Sequence, residues 1–428
     1  MFRRLLQKIL ASLARQVILV RQPEIIGVTG SVGKTSTKEA ITKILENKFQ
    51  VRGAYKNYNN EIGLPLTVLG CVSPGKSLLG WFKIFKQALV LMSKDKTIDY
   101  PEFLVLEMGI DRPKDMDYLL SIVRPTRAVI TKLGQAHLEF FNSLDQLHNE
   151  KIKLARALPE TGWIIYNYDD ENLRQIVKSL PRQALGFGFT EGADIMAENI
   201  STSRGLGSGV EVGVSFKMRL EGSTIPVFLP GVIGRPPIYS ALAAAAIALS
   251  YGLNGLEISD SLKNIKQPAG RLQLINGKND TLIVDDTYNS SPDSVYAGLA
   301  ALLEVPLELR QRVWAVLGDM RELGALSQKG HEEVGSAAVK QADCLVTVGQ
   351  DAQMIFTAAQ KAGLKEVYHF NTSIEAADFL EKEIKAGDLL FVKGSQAVRM
   401  EKIVKRLMKD PARASELLVR QGEEWKDK

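Results

Sequence analysis

The most constraining stretch of the chain is IIGVTGSVGKTSTKEA, Ile25 to Ala40. Glu24 to Val28 is rich in β-branched residues and predicts a buried strand. Gly30 and Gly33 allow a tight turn that points several backbone N–H groups inward. A helix starting near Gly33 adds its positive end at the same point. Strand, glycine turn, Lys-Thr pair and helix in that order read as a cradle for a nucleotide phosphate. Lys34 would reach the terminal phosphates and the Thr35 hydroxyl would hold Mg2+. Gly30, Ser31, Gly33 and Ser36 complete the candidate nucleotide-binding set. The strict G-x-x-x-x-G-K-[ST] pattern fails because Val28 stands at its first glycine; what stands is TGSVGKTS, Thr29 to Ser36. The competing reading is a glycine turn that joins strand to helix and binds nothing.

A strand–loop–helix unit of this kind needs a sheet around it, and the chain supplies one. Further strands are expected at Phe103–Glu107, Ala128–Lys132, Trp163–Asn167 and Ala184–Gly188, alternating with helical stretches. That alternation implies an α/β domain with a mostly parallel sheet. Residues 190–230 are richer in Gly and Ser and alternate in polarity, which predicts appended antiparallel strands. Tyr239–Gly252 reads as an alanine-packed helix. A boundary falls near KQPAGRLQ, Lys266 to Gln273. A second alternation follows, with strands at Thr281–Asp286, Val313–Leu317, Cys344–Val348, Glu366–Phe370 and Leu389–Lys393; this is a second, Rossmann-like open α/β unit. After about Lys409 the tail is charged and reads as a partly frayed helix. The expected division is 1–22, 23–268 and 269–428, and 428 residues suit more than one core.

Charge has meaning here by location. Residues 1–22 hold Arg3, Arg4, Lys8, Arg15 and Arg21 and no acid. The 54 Lys and Arg less these five equal the 49 Asp and Glu, so the body is neutral. That argues against a nucleic-acid partner, which needs a basic face on the folded domain. The first segment places Leu5, Leu6, Ile9, Leu10, Leu13 and Val17 at helical spacing, and Pro23 ends it. It is too short and too charged to span a bilayer, and it lacks a signal-peptide cleavage site. Two readings stay open: the stripe packs on the protein, or the helix lies on an anionic membrane surface. Ser77–Lys94 is a second apolar, basic stretch, more often a core helix than a membrane contact. Cys71 and Cys344 suggest neither disulfide nor zinc site and fit a reducing compartment. The expected location is cytoplasmic; on the second of the two readings the helix adds peripheral contact at the inner face of the membrane.

Several short stretches fall at the carboxyl ends of expected strands, where open α/β sheets place ligands. They are NYNNEIGLP (Asn57–Pro65, with Asn60), LEMG (Glu107), GQAHLEFF (His137) and NEKIKLARALPETG (Lys151). A phosphate-bound Mg2+ needs hard oxygen ligands, and Glu107 is placed to supply one. In the second unit the counterparts are GRLQ, VDDTYNSSPDS, LGDMRELG and FVKGSQAVRM.

Together, over residues 25 to 405, these stretches resemble the Mur ligase family of ATP-dependent amide-forming enzymes. TGSxGKTS marks the superfamily; DDTYNSSPDS and GDMRELG resemble the branch that adds D-alanyl-D-alanine. The resemblance implies that a muramyl-peptide carboxylate attacks the γ-phosphate of ATP to give an acyl phosphate. D-Ala-D-Ala then displaces phosphate, in a step of peptidoglycan precursor synthesis. By the family pattern Lys34 binds phosphate, Thr35 and Glu107 hold one Mg2+, and His137 helps hold a second. Lys151 matches the lysine that takes up CO2 as a carbamate and becomes a metal ligand. Arg271, Asp286, Tyr288, Asn289 and Lys393 would meet nucleotide or dipeptide.

Three departures stand out. Family members carry an N-terminal domain that grips the UDP-sugar, and here only the basic helix precedes the phosphate loop. UDP would then be recognised elsewhere, a partner would supply the grip, or the acceptor would be lipid-linked. At GRPPIYSALAAAA, Pro236, Pro237 and Ser240 stand where the family shows a His and two Asn, one of which reads adenine. Ser291 replaces an amide in NSSP. Among rivals, a lipid-linked muramyl ligase with a four-cysteine zinc ribbon is weakened by having only two cysteines. A nucleotide switch would show N-K-x-D, which is absent. A catalytically silent nucleotide-binding module is the remaining alternative.

Overall fold

The computed structural model describes residues 2–55, 58–95, 97–134, 140–204, 212–265 and 267–425. Two compact units emerge, one of residues 1–198, 217–226 and 239–265, the other of 199–216, 227–238 and 266–428.

The first unit opens with α1 (Phe2–Arg21). There follow β1 (Glu24–Thr29), α2 (Lys34–Glu46), β2 (Val51–Gly53), α3 (Gly63–Leu69), α4 (Leu78–Leu91) and β3 (Phe103–Glu107). Then come α5 (Asp115–Leu120), β4 (Arg127–Ile130), α6 (Leu144–Arg156), β5 (Trp163–Asn167), α7 (Glu171–Lys178) and β6 (Gln183–Gly188). Three longer strands follow, β7 (Ile195–Arg204), β8 (Val212–Leu220) and β9 (Ser223–Pro230), of which residues 199–216 and 227–230 are counted with the second unit. After them comes α8 (Arg235–Ser250). The sheet order is β2-β3-β1-β4-β5-β6-β7-β8-β9. Pairings from β2 through β7 are parallel. The central strands read as unbroken apolar runs because helices cover both faces; every residue of β3 is buried.

The strand order decides where a ligand sits. The chain leaves β1 for β2 on one side, and β4 lies on the other. The turn after β1 therefore opens at a switch of direction, flanked by the ends of β3 and β4. Gly27 in β1 sets how closely α6 lies on the sheet. A Cβ there would meet the Leu154 Cδ1 of α6 at 2.9 Å.

Three expectations change. Residues 190–230 are not all antiparallel, since β7 begins by pairing parallel to β6, Phe187 opposite Ile195. β8 and β9 do form a hairpin. Their two-residue turn, Glu221 at φ 48° and Gly222 at φ 77°, has the left-handed pair that matches strand twist. The tail is not one helix but short turns packed on the second unit, with Ala414 and Leu418 buried. α8 starts earlier than Tyr239, because Pro236 and Pro237 in its first turn need no N–H partner.

α1 ends at Arg21, two residues before Pro23. Leu10, Ala11, Ala14 and Val17 are buried, and Leu6 and Leu13 pack half-buried beside them, whereas Leu5 and Ile9 stay exposed. Arg21 fastens the helix end by donating to the carbonyls of Leu91 (2.8 Å), Ser93 (3.0 Å) and Asp95 (3.0 Å). No described helix is long and apolar enough to cross a membrane.

The second unit holds β10 (Gln273–Asn276), β11 (Leu282–Asp286), β12 (Val313–Gly318), β13 (Cys344–Val348), β14 (Glu366–Phe370) and β15 (Leu389–Lys393). Their order is β10-β11-β15-β12-β13-β14. Only β10 is antiparallel. β15 returns to lie between β11 and β12, which sets Lys393 directly opposite Asp286.

Candidate active site

In the first unit the loop between β1 and α2 is shaped by two glycines. Gly30 has φ 143°, and a Cβ on it would lie 2.1 Å from the Thr131 hydroxyl. No side chain fits there, so the loop backbone lies against the end of β4. Gly33 caps α2 at φ 84°. Lys34, Thr35 and Ser36 therefore form the first turn of a helix, the end whose N–H groups and dipole favour an anion. The Ser31 hydroxyl accepts from Gly134 N–H (2.8 Å), tying the loop to the segment after β4. Lys34 Nζ donates to the Gly30 carbonyl (2.7 Å), folded back over its own loop.

Glu107 ends β3 almost wholly buried. Thr35 Oγ1 donates to its Oε2 (2.9 Å), and Asn59 Nδ2 donates to its Oε1 (3.0 Å). A buried carboxylate is costly unless hydrogen-bonded; here each oxygen has one donor. This hydroxyl–carboxylate pair at a phosphate loop offers hard oxygen donors and fits a small divalent cation. Among the described residues no group of three His, Cys, Asp or Glu is assembled.

Asn60 does something else. Its Oδ1 accepts from Ile62 N–H (3.2 Å) and Gly63 N–H (3.0 Å), shaping the turn into α3. The neighbouring Asn59 is the one on Glu107. His137 lies outside the described residues.

Lys151 projects from α6, which Ser143 caps by accepting from Gln146 N–H (3.1 Å). Only 1% of Lys151 is exposed, and its Nζ has no hydrogen-bond partner among the described residues. Burial first, and the Lys34 ammonium second, push it down to about 7. An unpartnered buried ammonium is among the least favourable groups a core can hold, so this nitrogen tends to neutrality. His148, one turn earlier on α6, was not singled out from the sequence. Its Nε2 is likewise buried without a partner, and burial and then Lys151 hold its pKa below the ordinary imidazole value. The i, i+3 spacing to Lys151 is the only signal that could have found it. Ser240 is buried, with its hydroxyl 3.4 Å from that of Thr37 on α2.

A second cluster forms in the second unit. Lys393 Nζ donates to Asp286 Oδ2 (2.6 Å) and to the Asn289 carbonyl (2.9 Å). Burial pushes Asp286 up and Lys393 down, while each favours the charged form of the other. The Arg271 guanidinium lies 4.0 Å over the Tyr288 ring, and its Nε is buried without a hydrogen-bond partner among the described residues. All five residues expected to meet nucleotide or dipeptide are thus in one place. Two residues the sequence did not reveal support them. Asp285 is fully buried; it accepts from Thr287 N–H (3.1 Å) and Oγ1 (2.6 Å), and burial pushes it up to about 7. Arg420, from the tail, donates to the carbonyls of Tyr288 (3.1 Å) and Thr287 and pairs with buried Glu401 (2.8 Å).

A phosphate loop backed by a hydroxyl–carboxylate pair, on a parallel α/β sheet and joined in one chain to a second open α/β unit, defines a nucleoside-triphosphate-using enzyme. Comparison with known proteins makes this specific. The Mur ligase middle-domain model matches residues 28–77 and 86–248, and the Mur ligase glutamate-ligase-domain model matches 270–396. UDP-N-acetylmuramoyl-tripeptide–D-alanyl-D-alanine ligase of Bacillus subtilis is 30% identical over 404 residues, 94% of this chain and 79% of that protein. The Escherichia coli enzyme of the same name is 31% identical over 407 residues, 94% of this chain and 80% of that protein. The crystal structure of MurF ligase from Thermotoga maritima in complex with ADP superimposes with TM-score 0.76 at 28% identity, covering 94% of this chain and 83% of that one. The chain belongs to the Mur ligase family and is an ATP-dependent ligase.

Proposed function

We propose that the enzyme joins D-alanyl-D-alanine to a muramyl-tripeptide in peptidoglycan precursor synthesis, in the cytoplasm, through an acyl phosphate. The observation that carries this reading is a phosphate loop with Lys34, Thr35 and Glu107 on it and, within electrostatic reach of Lys34, a buried Lys151 with no hydrogen-bond partner among the described residues. Carboxylate and triphosphate repel each other, so the first step needs positive charge between them. The N–H groups of the α2 first turn and Lys34 supply part of it. Mg2+, held by Thr35 and Glu107 with His137 at a second position, would add charge neutralisation at the phosphates. Asn59 fixes the rotamer of Glu107. Lys151, with its pKa brought down to about 7 and so half neutral at that pH, is suited to take up CO2. The resulting carbamate anion would answer the Lys34 charge that an ammonium there repels.

The substrate carboxylate oxygen bonds to the γ-phosphorus as the bond to ADP breaks. The dipeptide amine then attacks the acyl carbon, loses a proton, and phosphate departs. Arg271, Asp286, Tyr288, Asn289 and Lys393 are assigned to nucleotide and dipeptide, and the working division is 1–22, 23–268 and 269–428. The free thiols Cys71 and Cys344 suit a reducing cytoplasm.

The test is phosphate release from ATP with D-Ala-D-Ala, Mg2+ and bicarbonate, with mass detection of the pentapeptide. UDP-linked and lipid-linked muramyl-tripeptides are compared as acceptors. Pentapeptide from either supports the reading and names the carrier. ATP binding without product from either overturns it in favour of another acceptor.

A further inference from the structure

The geometry points to a membrane-docking surface on the outer face of α4, with an anionic phospholipid bilayer as its occupant. α4 is apolar nearly all round, but only one side of it is used by the core: Trp81, Ile84, Ala88 and Leu91 are buried. Trp81 Nε1 donates to the Gly75 carbonyl (3.1 Å) and Gln87 Nε2 to the Leu69 carbonyl (3.0 Å), which fix the helix in place. At 100° per residue the opposite arc carries Leu78, Leu79, Phe82, Leu89 and Val90. Their exposures are 76%, 78%, 67%, 64% and 47%. Five large apolar side chains on one arc form a continuous patch rather than the scattered exposure that needs no explanation.

Charge selects the occupant. Lys86 lies within the same arc, between the apolar residues, and Lys83 borders it next to Val90; both are exposed. Cys71 to Lys94 contains Lys76 and Lys94 as well and no acid. The centre of a protein–protein interface is depleted in lysine. A bilayer surface accepts this mixture, because lysine stems lie along apolar surface while their ammonium groups reach lipid phosphates. α1 packs beside α4 and has exposed Leu5, Leu19, Lys8 and Arg15 of its own, with no acid on the helix itself. The middle-domain family model leaves residues 78–85, the first half of α4, unmatched. The inference therefore moves the expected membrane contact from α1, whose main stripe is buried, to α4. It does not depend on which acceptor the ligase uses.

The test is co-sedimentation of the full chain with vesicles of equal parts phosphatidylglycerol and phosphatidylcholine, and with phosphatidylcholine alone. Binding to the first that weakens with salt, and little to the second, is expected. L79Q/F82Q and K83E/K86E should each lower partitioning by roughly tenfold or more. ATP hydrolysis should be unchanged, which also shows that the variants fold. Absence of wild-type binding to phosphatidylglycerol vesicles overturns the proposal, as does equal binding by both variants. Self-association that L79Q/F82Q abolishes, with no vesicle binding, overturns it in favour of an interface between copies.

Discussion

Lys151→Gln isolates the chemistry of the buried amine while nearly preserving its length. With a pKa of about 7, half of the Lys151 side chains are neutral at that pH. That is roughly a thousandfold more neutral amine than an ordinary lysine near 10.4 provides. Only the neutral form reacts with CO2, so the site is set to form a carbamate in bicarbonate. Carbon-13 bicarbonate should therefore give a carbamate resonance in the wild-type protein that Lys151→Gln and Lys151→Arg both lack. Turnover should fall by about a hundredfold or more in both variants. Arginine keeps the positive charge, so its failure separates carbamylation from mere charge. Stability supplies an independent readout. The folded pKa lies below the unfolded one, so the unfolded chain binds more protons between about pH 7 and pH 10.5, and stability should rise with pH across that window. The upper bound is about 5 kcal/mol, and Lys151→Gln should remove the slope in bicarbonate-free buffer. No carbamate resonance at saturating bicarbonate, or an active Lys151→Arg enzyme, would refute the reasoning.

Three further outcomes are expected. Arg420→Ala strips buried Glu401 of one of its two guanidinium partners and releases the Thr287 and Tyr288 carbonyls. It should cost about 3 kcal/mol in urea denaturation and raise KM for the dipeptide. Asp285 has a folded pKa above its unfolded one, so the native state holds the extra proton between about pH 4 and pH 7 and stability should fall as pH rises through that range. Urea melts at pH 5 and pH 8 should show this slope in the wild type and a flatter one in Asp285→Asn. With Ser240 buried against Thr37 and prolines at 236 and 237, kcat/KM should favour ATP over GTP by less than about tenfold. A much larger ratio would show that adenine is read elsewhere.

Local chemistry was legible in the sequence; partnership across the fold was not. The β1–loop–α2 unit could be placed from sixteen consecutive residues, because glycine conformation, helix polarity and strand burial are all short-range. The strand ends carrying Glu107, Asp286 and Lys393 were equally plain, since parallel strands read as apolar runs that stop at a polar residue. Choosing between Asn59 and Asn60 was another matter. Adjacent residues diverge in direction, and only the fold shows that Asn59 meets Glu107 while Asn60 closes a turn. Lys151 was found by its motif, but its burial and the nearness of Lys34, which bring its pKa down, are stated by no motif. Arg420 reaches across 132 positions to hold Tyr288, and a charged tail gives no sign of that in advance. α4 is the sharpest case. A helix with large apolar residues on both sides predicts burial on both sides, yet core packing used one side of it and left the side beside Lys83 and Lys86 exposed. Composition alone cannot distinguish a fully buried helix from one that is half core and half docking surface. The difference is set by the neighbours a helix finds, and those are fixed only when the chain folds.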